Sequence, residues 1–417
     1  MLSRILSIFL IIAATASAQE VPRPLASAFL AIEKQDWQQA LDLAQEDGAV
    51  ARDIVEWHLH RAKAGTAAGA IKFLARNPDW PGLPYLKKRS EGSFLAAPID
   101  IIEPFFAENP PKTAEGALAY AAALKVAKKH ELARDILRKA WASYDMSKLV
   151  QDVYVSNYSK EIKDLMQTRL YELLWRQEDE QAEALFPFLK SADRAFAKAR
   201  IALMQGKPGV DTLLSRVSFE QKKHSLLSHA RFKWRLSKGK RQSAVGLMLT
   251  TSRSKDTLGR PEVWGDDRRN IARDLVRDKS YQQAYKLASN HFMTSGQIYA
   301  DLEWLSGYIA LRYLKNPQTA QFHFERFMIA VDTPISLGRA YYWLARAYQD
   351  QGQREKARKT FAKGAVYQTS FYGLLSAEEI SAPFKYDFHP PRELPGWRNA
   401  SFLKSSVFKA AILLFAS

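Results

Sequence analysis

The stretch ALAYAAALKVAKKHELARDILRKA, residues 117–140, carries a spaced signature that returns in YYWLARAYQDQGQREKARKTFAKG, residues 341–364. In the first, Ala117, Tyr120, Ala121, Leu124, Ala133, Leu137 and Ala140 hold the pattern. In the second, Tyr341, Leu344, Ala345, Tyr348, Ala357, Phe361 and Gly364 hold it at identical steps of three, one, three, nine, four and three. Three- and four-residue steps lie on one face of a helix. The first four positions therefore stripe one helix, the nine-residue step spans a turn, and the last three stripe a second, facing helix. Small residues at Ala121/Ala133 and Ala345/Ala357 let the two helices approach closely. This is a helical-hairpin repeat, in which each hairpin covers its apolar face with a neighbour.

Weaker copies lie nearby. Ile271, Ala272 and Leu275 precede Ala284 and Ala288 at the same steps. Trp304, Leu305 and Tyr308 precede Ala320, Phe324 and Phe327 with three extra residues around Asn316-Pro317. Near the start, Trp37, Ala40, Leu41 and Ala44 read as a second helix alone. The expected fold is all-α: an α-superhelix, a helical-hairpin solenoid of TPR-like repeats, either open or closed into a ring.

Composition agrees. The 417 residues are 47% hydrophobic, enough for packed cores. Helix-forming Ala, Leu, Lys, Arg, Gln and Glu dominate, and alternating β-branched runs are scarce. Val153-Tyr154-Val155 is a rare short exception. The chain has no cysteine, which excludes disulfides and thiolate metal sites.

Met1-Leu2-Ser3-Arg4 offers one positive charge, Ile5 to Ala14 is apolar, and Ala16-Ser17-Ala18 fits the small-x-small cleavage rule. Residues 1–18 are therefore expected to be an export signal with Gln19 as the mature start. The apolar run is too short to span a bilayer comfortably, no cysteine follows for a lipid anchor, and no later stretch reaches ~18 apolar residues. The expectation is a soluble exported protein with no stable membrane anchor.

The formal charge of +17 attracts polyanions. Its densest run is Lys222, Lys223, Arg231, Lys233, Arg235, Lys238, Lys240 and Arg241. That run reads either as a solvated helix face or as a polyanion contact, with Lys222, Lys223, Arg231, Lys233 and Arg235 its candidates. No nucleic-acid motif accompanies it, so no nucleic-acid partner is expected. Trp57, Trp80, Trp264 and Trp397 lie near turns or helix edges, placed either to stack on sugar rings or to fill the core; Trp80 and Trp264 join the candidate contacts.

Other chemistry is sparse. Glu378 and Glu379 are adjacent, point about 100° apart on a helix, and cannot flank one bond together. Glu262, Asp266 and Asp267 are read as partners of Arg268 and Arg269 rather than as a cation site. His58/His60 and His224/His229 have the wrong spacing for a metal on one helix face. Phosphate loops and serine nucleophile elbows are absent. No catalytic, metal or cofactor residue is assigned.

Three segments occur in order: the turn Asn77-Pro78-Asp79-Trp80-Pro81-Gly82-Leu83, the segment Phe371-Tyr372-Gly373-Leu374-Leu375-Ser376-Ala377-Glu378, and Ser406-Val407-Phe408-Lys409-Ala410-Ala411 after a run containing Pro383, Pro390, Pro391 and Pro395. With the signal and the repeats, the chain resembles the soluble lytic murein transglycosylase family over essentially its whole length. The resemblance implies a periplasmic α-superhelix at 19–380, a Pro-rich linker at 381–397, and at 398–417 the start of a helical linker domain that precedes a lysozyme-like catalytic domain. The family cleaves the MurNAc-β-1,4-GlcNAc bond of peptidoglycan without water, the muramyl C6 hydroxyl attacking to give a 1,6-anhydro product, with one glutamic acid as acid and then base. The family follows that glutamate with serine, and no Glu-Ser pair occurs in this chain. Gly246-Leu247-Met248 imitates a downstream family motif but continues Leu249-Thr250, and is read as a repeat helix. The chain ends within an apolar helix at Ser417, and the expectation is a truncated portion that engages peptidoglycan and is inactive alone. The alternative is a stand-alone periplasmic repeat scaffold that docks proteins.

Overall fold

The computed structural model describes residues 22–384 and 396–417. The expected export signal, and residues 385–395 of the expected linker, lie outside the described residues. Among the described residues there are helices and no strand. Val153-Tyr154-Val155 lies within the helix Lys148–Asn157, where full burial of Tyr154 overrides local β preference. No helix among the described residues is long and apolar enough to cross a membrane.

The repeat pattern is real and extends further than the two obvious copies. All seven signature residues of 117–140 are buried, Tyr120 being the most accessible at 7%. They belong to the helices Ala114–Val126 and His130–Ser143. In the second copy, on Pro334–Asp350 and Arg354–Gly364, Leu344, Ala345, Ala357, Phe361 and Gly364 are buried, and Tyr341 and Tyr348 are half-buried.

One turn geometry recurs along the chain, and six hairpins that carry it share a further feature. The residue at the bend is left-handed: Gln35, Lys128, Gln177, Gly239, Lys279 and Gly352, with φ between 58° and 75°. In each, the next residue's N–H closes back on the carbonyl five positions earlier: Asp36 to Ala31, Lys129 to Leu124, Glu178 to Leu173, Lys240 to Arg235, Ser280 to Leu275 and Gln353 to Tyr348. This closure satisfies carbonyls that a helix end otherwise leaves open. Five residues past each bend sits a buried alanine: Ala40, Ala133, Ala182, Ala244, Ala284 and Ala357. A methyl at that position lets the second helix lie against the first. The hairpins Met166–Arg176/Asp179–Ala184 and Ser225–Ser237/Arg241–Thr251 thus join those expected from the sequence. Gly246-Leu247-Met248 lies on Arg241–Thr251, with Met248 fully buried, as a repeat helix requires.

The described residues form two compact units, 22–163 with 396–417, and 164–384, which divide the span expected as one domain. In the first unit, the closing helix Ser406–Ala416 packs on Ala49–Arg61 through Val407, Ala410 and Leu413. Residues 398–417, expected to open a separate domain, are grouped with this unit. The second unit ends on Phe371–Glu379, whose glycine explains the Phe-Tyr-Gly segment. A Cβ on Gly373 would lie 1.8 Å from the Tyr367 carbonyl oxygen, and one on Gly338 2.7 Å from Ser370 Oγ. Only glycine permits the backbones to meet there.

Candidate functional site

The expected basic contact draws its residues from two helices and the turn between them. Lys222 and Lys223 lie on or just after the short helix Phe219–Lys222, and Arg231, Lys233 and Arg235 lie on Ser225–Ser237. Lys233 is paired with Asp267 at 2.8 Å and Lys223 with Glu220 at 3.1 Å. Arg235 donates to the Ser243 carbonyl across its hairpin at 3.1 Å. Lys222 and Arg231 alone of the five have no such partner among the described residues. Two of the five charges, those of Lys223 and Lys233, thus meet a carboxylate within the fold, and Arg235 braces its hairpin.

The two tryptophans are corrected more sharply. Trp264 is fully buried against His229 and Phe232 and donates to the Leu258 carbonyl at 3.1 Å. Trp80, 7% exposed, packs edge-on against Phe73 and donates to Ser406 Oγ at 3.0 Å. Neither presents a ring face to a sugar. Both sit beside turns, and the hydrophobic surface of each indole is covered by core neighbours while its N–H is satisfied within the fold. Trp397 is 60% exposed and Trp57 is half-buried. Of the acidic residues near Gly265, Asp266 pairs with Arg269 at 2.9 Å as expected, whereas Arg268 is buried and donates to the Leu287 carbonyl and Ser252 Oγ.

Arginine resting on aromatic rings is the surface chemistry that both units present. In the first, the Arg61 guanidinium lies 3.9 Å from the Trp57 ring centroid and 4.8 Å from that of Tyr85. The Pro-rich turn sets this up, since Trp57 Nε1 donates to the Pro81 carbonyl at 3.0 Å. Gly82, with φ at 72°, leaves room for Arg61 Nη1, which would lie 3.2 Å from a Cβ there. The guanidinium borders an open groove of about 540 Å³ lined also by Trp37, His58, Lys63 and Tyr85. Burial and the Arg61 charge lower the His58 pKa, so its imidazole is neutral at pH 7.

The second unit repeats the theme on a larger scale. Arg339 lies 4.3 Å from the Trp304 ring centroid and 5.7 Å from that of Tyr372. Trp304 stacks with Tyr308 at 5.2 Å, and Tyr308 meets Trp343 edge-on at 5.0 Å. These residues come from Gln297–Arg312 and Pro334–Asp350, the first helices of successive hairpins, and from Phe371–Glu379, which follows them. Four-residue steps put Trp304, Tyr308 and Arg312 on one stripe, and Arg339 and Trp343 on the next. The indole N–H groups of Trp304 and Trp343 have no acceptor.

Arg61, Tyr85, Arg339, Trp304 and Tyr372 are not among the candidates expected from the sequence. A signal was present in the aromatic–arginine spacing of four: Trp57/Arg61, Tyr85/Arg89, Tyr308/Arg312 and Tyr342/Arg346.

The strongest titration shifts lie in the interior. Glu303, 1% exposed, binds His291 Nε2 at 3.2 Å, His323 Nδ1 at 2.6 Å and Arg326 Nε at 2.6 Å. His291 Nδ1 accepts the Met293 N–H at 3.0 Å, so its Nε2 carries the proton that it donates to Glu303. Burial pushes the Glu303 carboxyl up, but the hydrogen bonds and charges of the two histidines outweigh it and hold it at about 2. A buried acid ionised at every physiological pH has no proton to give, so this cluster braces the fold rather than serving as a general acid. No three-residue group suited to a metal occurs among the described residues.

No family model matches the chain, and no curated protein matches it. Among solved structures, a chain of the APC/C hetero-tetramer Cut9-Hcn1 is similar over 86% of this chain and 76% of that one, at 13% identity and a TM-score of 0.26. A superposition that loose carries no argument.

Proposed function

We propose that this chain is the non-catalytic, peptidoglycan-engaging helical-repeat portion of a soluble lytic transglycosylase, working in the periplasm after export. The observation that carries the reading is the arginine held on aromatic rings in both units, Arg61 on Trp57 and Tyr85, and Arg339 on Trp304 and Tyr372. Neither guanidinium has a carboxylate partner among the described residues. Wall polymer offers carboxylates on its stem peptides and apolar ring faces on its sugars, and an arginine beside an aromatic ring suits both. The 1,6-anhydro chemistry of the family would reside in a lysozyme-like domain, with this chain holding the polymer.

Residues 19–417 are expected to sediment with purified sacculi, to be released by salt as screened charges require, and to liberate no anhydromuropeptide. R61A/R339A should sediment several-fold less. Full solubility in the presence of sacculi would overturn the reading, as would release of anhydro product. The second reading, a periplasmic scaffold that docks proteins, is favoured by the tryptophan, tyrosine and arginine content of the second unit's surface, since those residues dominate protein interfaces. A partner protein retained on the purified chain with no sacculus binding would select it.

A further inference from the structure

The second unit's aromatic surface has a charge imbalance that names its ligand. Four acids on its helices or the helix between them are already engaged. Glu303, next to Trp304, is held by His291, His323 and Arg326 in the interior. Asp301 pairs with Arg269 at 2.8 Å, Glu379 pairs with Arg346 at 2.7 Å, and Glu325 accepts from Gln321 and Tyr348. Glu378 lies six residues beyond Tyr372, about 120° away around the helix. What remains is Arg339, whose guanidinium carbon lies 4.3 Å from the Trp304 ring centroid and 5.7 Å from that of Tyr372, and exposed Arg312, whose charge reaches Tyr308 and Tyr342. The arginines have donors to offer and no carboxylate among the described residues to receive them.

We propose that this surface binds a peptide carboxylate, with Arg339 receiving it through the free edge of its guanidinium and Trp304, Tyr308 and Trp343 receiving the apolar groups beside it. Contact with Trp304 restricts the Arg339 guanidinium, whose N–H donors have no carboxylate partner among the described residues and can meet a ligand carboxylate with paired bonds. Holding the side chain in advance removes part of the ordering cost of binding. Arg312 adds long-range attraction. Three helices contribute, so a short extended segment rather than a single small anion matches the surface. The inference rests on the proposed binding role and adds the ligand class for one site.

The test is calorimetric titration of residues 19–417 with N-acetyl-Ala-Ala-Ala, its C-terminal amide, and N-acetyl-Ala-Glu-Ala amide. The free acid should bind, and R339A should weaken it about tenfold or more, the loss expected for a charge-assisted bond. R339K, which keeps the charge but loses the flat fork, should weaken it nearly as much. Binding by the amidated tripeptide as strong as by the free acid overturns the proposal. So does unchanged affinity in R339A with its helical circular dichroism intact; R312A, on an exposed residue, supplies a second variant that must also weaken binding. The glutamate-containing amide distinguishes a side-chain carboxylate from a chain terminus, and either one binding through Arg339 supports the assignment. Sacculus sedimentation separates the two proposals. Sacculi bound without the peptide effects sink only the carboxylate site, and peptide bound without sacculi sinks only the wall-binding role.

Discussion

Glu91 and Glu303 are buried to the same degree, 3% and 1% exposed, one in each unit, and their carboxyls shift in opposite directions. Glu91 accepts from neutral donors: the Lys112 and Thr113 N–H groups at 2.9 and 2.7 Å and Thr113 Oγ1 at 2.6 Å. Burial wins there, and the pKa rises despite those bonds. Glu303 faces two histidines and an arginine, and its pKa falls to about 2. Burial alone does not decide whether an interior acid is ionised; the charge of its partners does. The two acids also play different parts. Glu91 pins the chain entering Ala114–Val126, whereas Glu303 ties Gln297–Arg312 to Pro317–Ile329 and to the loop holding His291.

The largest expected effect is E303A, which strands two histidines and an arginine and should cost about 3–5 kcal/mol in urea unfolding. E91A removes an acceptor from neutral donors and should cost about 1–3 kcal/mol. Equal losses would break the comparison. The acid limb tests it by sign. The folded Glu303 pKa of about 2 lies below its ordinary 4.5, so its contribution is full above pH 4.5 and is lost as pH falls towards 2, on the order of 3 kcal/mol. E303Q should flatten that limb. Glu91 is raised, so its contribution is present at low pH and is lost as pH climbs through the raised value; E91Q should remove a slope of opposite sign.

His229 extends the contrast to a buried base. It is 7% exposed, its Nε2 has no partner, and burial followed by the charges of Lys233 and Arg200 lowers its pKa to about 4. The unfolded imidazole takes up a proton below 6.5 while the folded one waits until about 4, so stability falls across that window by about 3 kcal/mol. H229F should abolish that loss, measured by melting at pH 4 and 7. The smallest effect expected is G116A: its Cβ would lie 2.3 Å from Glu91 Oε2 and push the carboxylate off Thr113, at roughly 1–2 kcal/mol. A Tm unchanged in G116A would mean that the Glu91 contact does not hold this turn.

The legible part of the fold was the part written in apolar spacing. Residues 117–140 and 341–364 announce themselves because large and small apolar residues mark both helices. Residues 170–182 and 232–244 share the turn and the alanine, but Phe232 stands where the full copies have alanine and Arg235 where they have Leu124 and Tyr348. The left-handed bend gave no warning, since Gln35, Lys128, Gln177 and Lys279 occupy it where glycine would have marked it. The candidate sites were harder. Counting lysines and arginines between 222 and 241 cannot show that Lys233 reaches Asp267, 34 residues away. Nor can it show that Arg339, outside any basic run, is left uncompensated.

By itself the sequence determined an all-helical hairpin array, because helix periodicity and burial are set by neighbours three and four residues apart. Tertiary structure decided which charges cancel, which tryptophans vanish into cores and which arginines are left without a carboxylate among the described residues. Those outcomes depend on which distant side chains come within a few ångströms, and no local pattern encodes that distance.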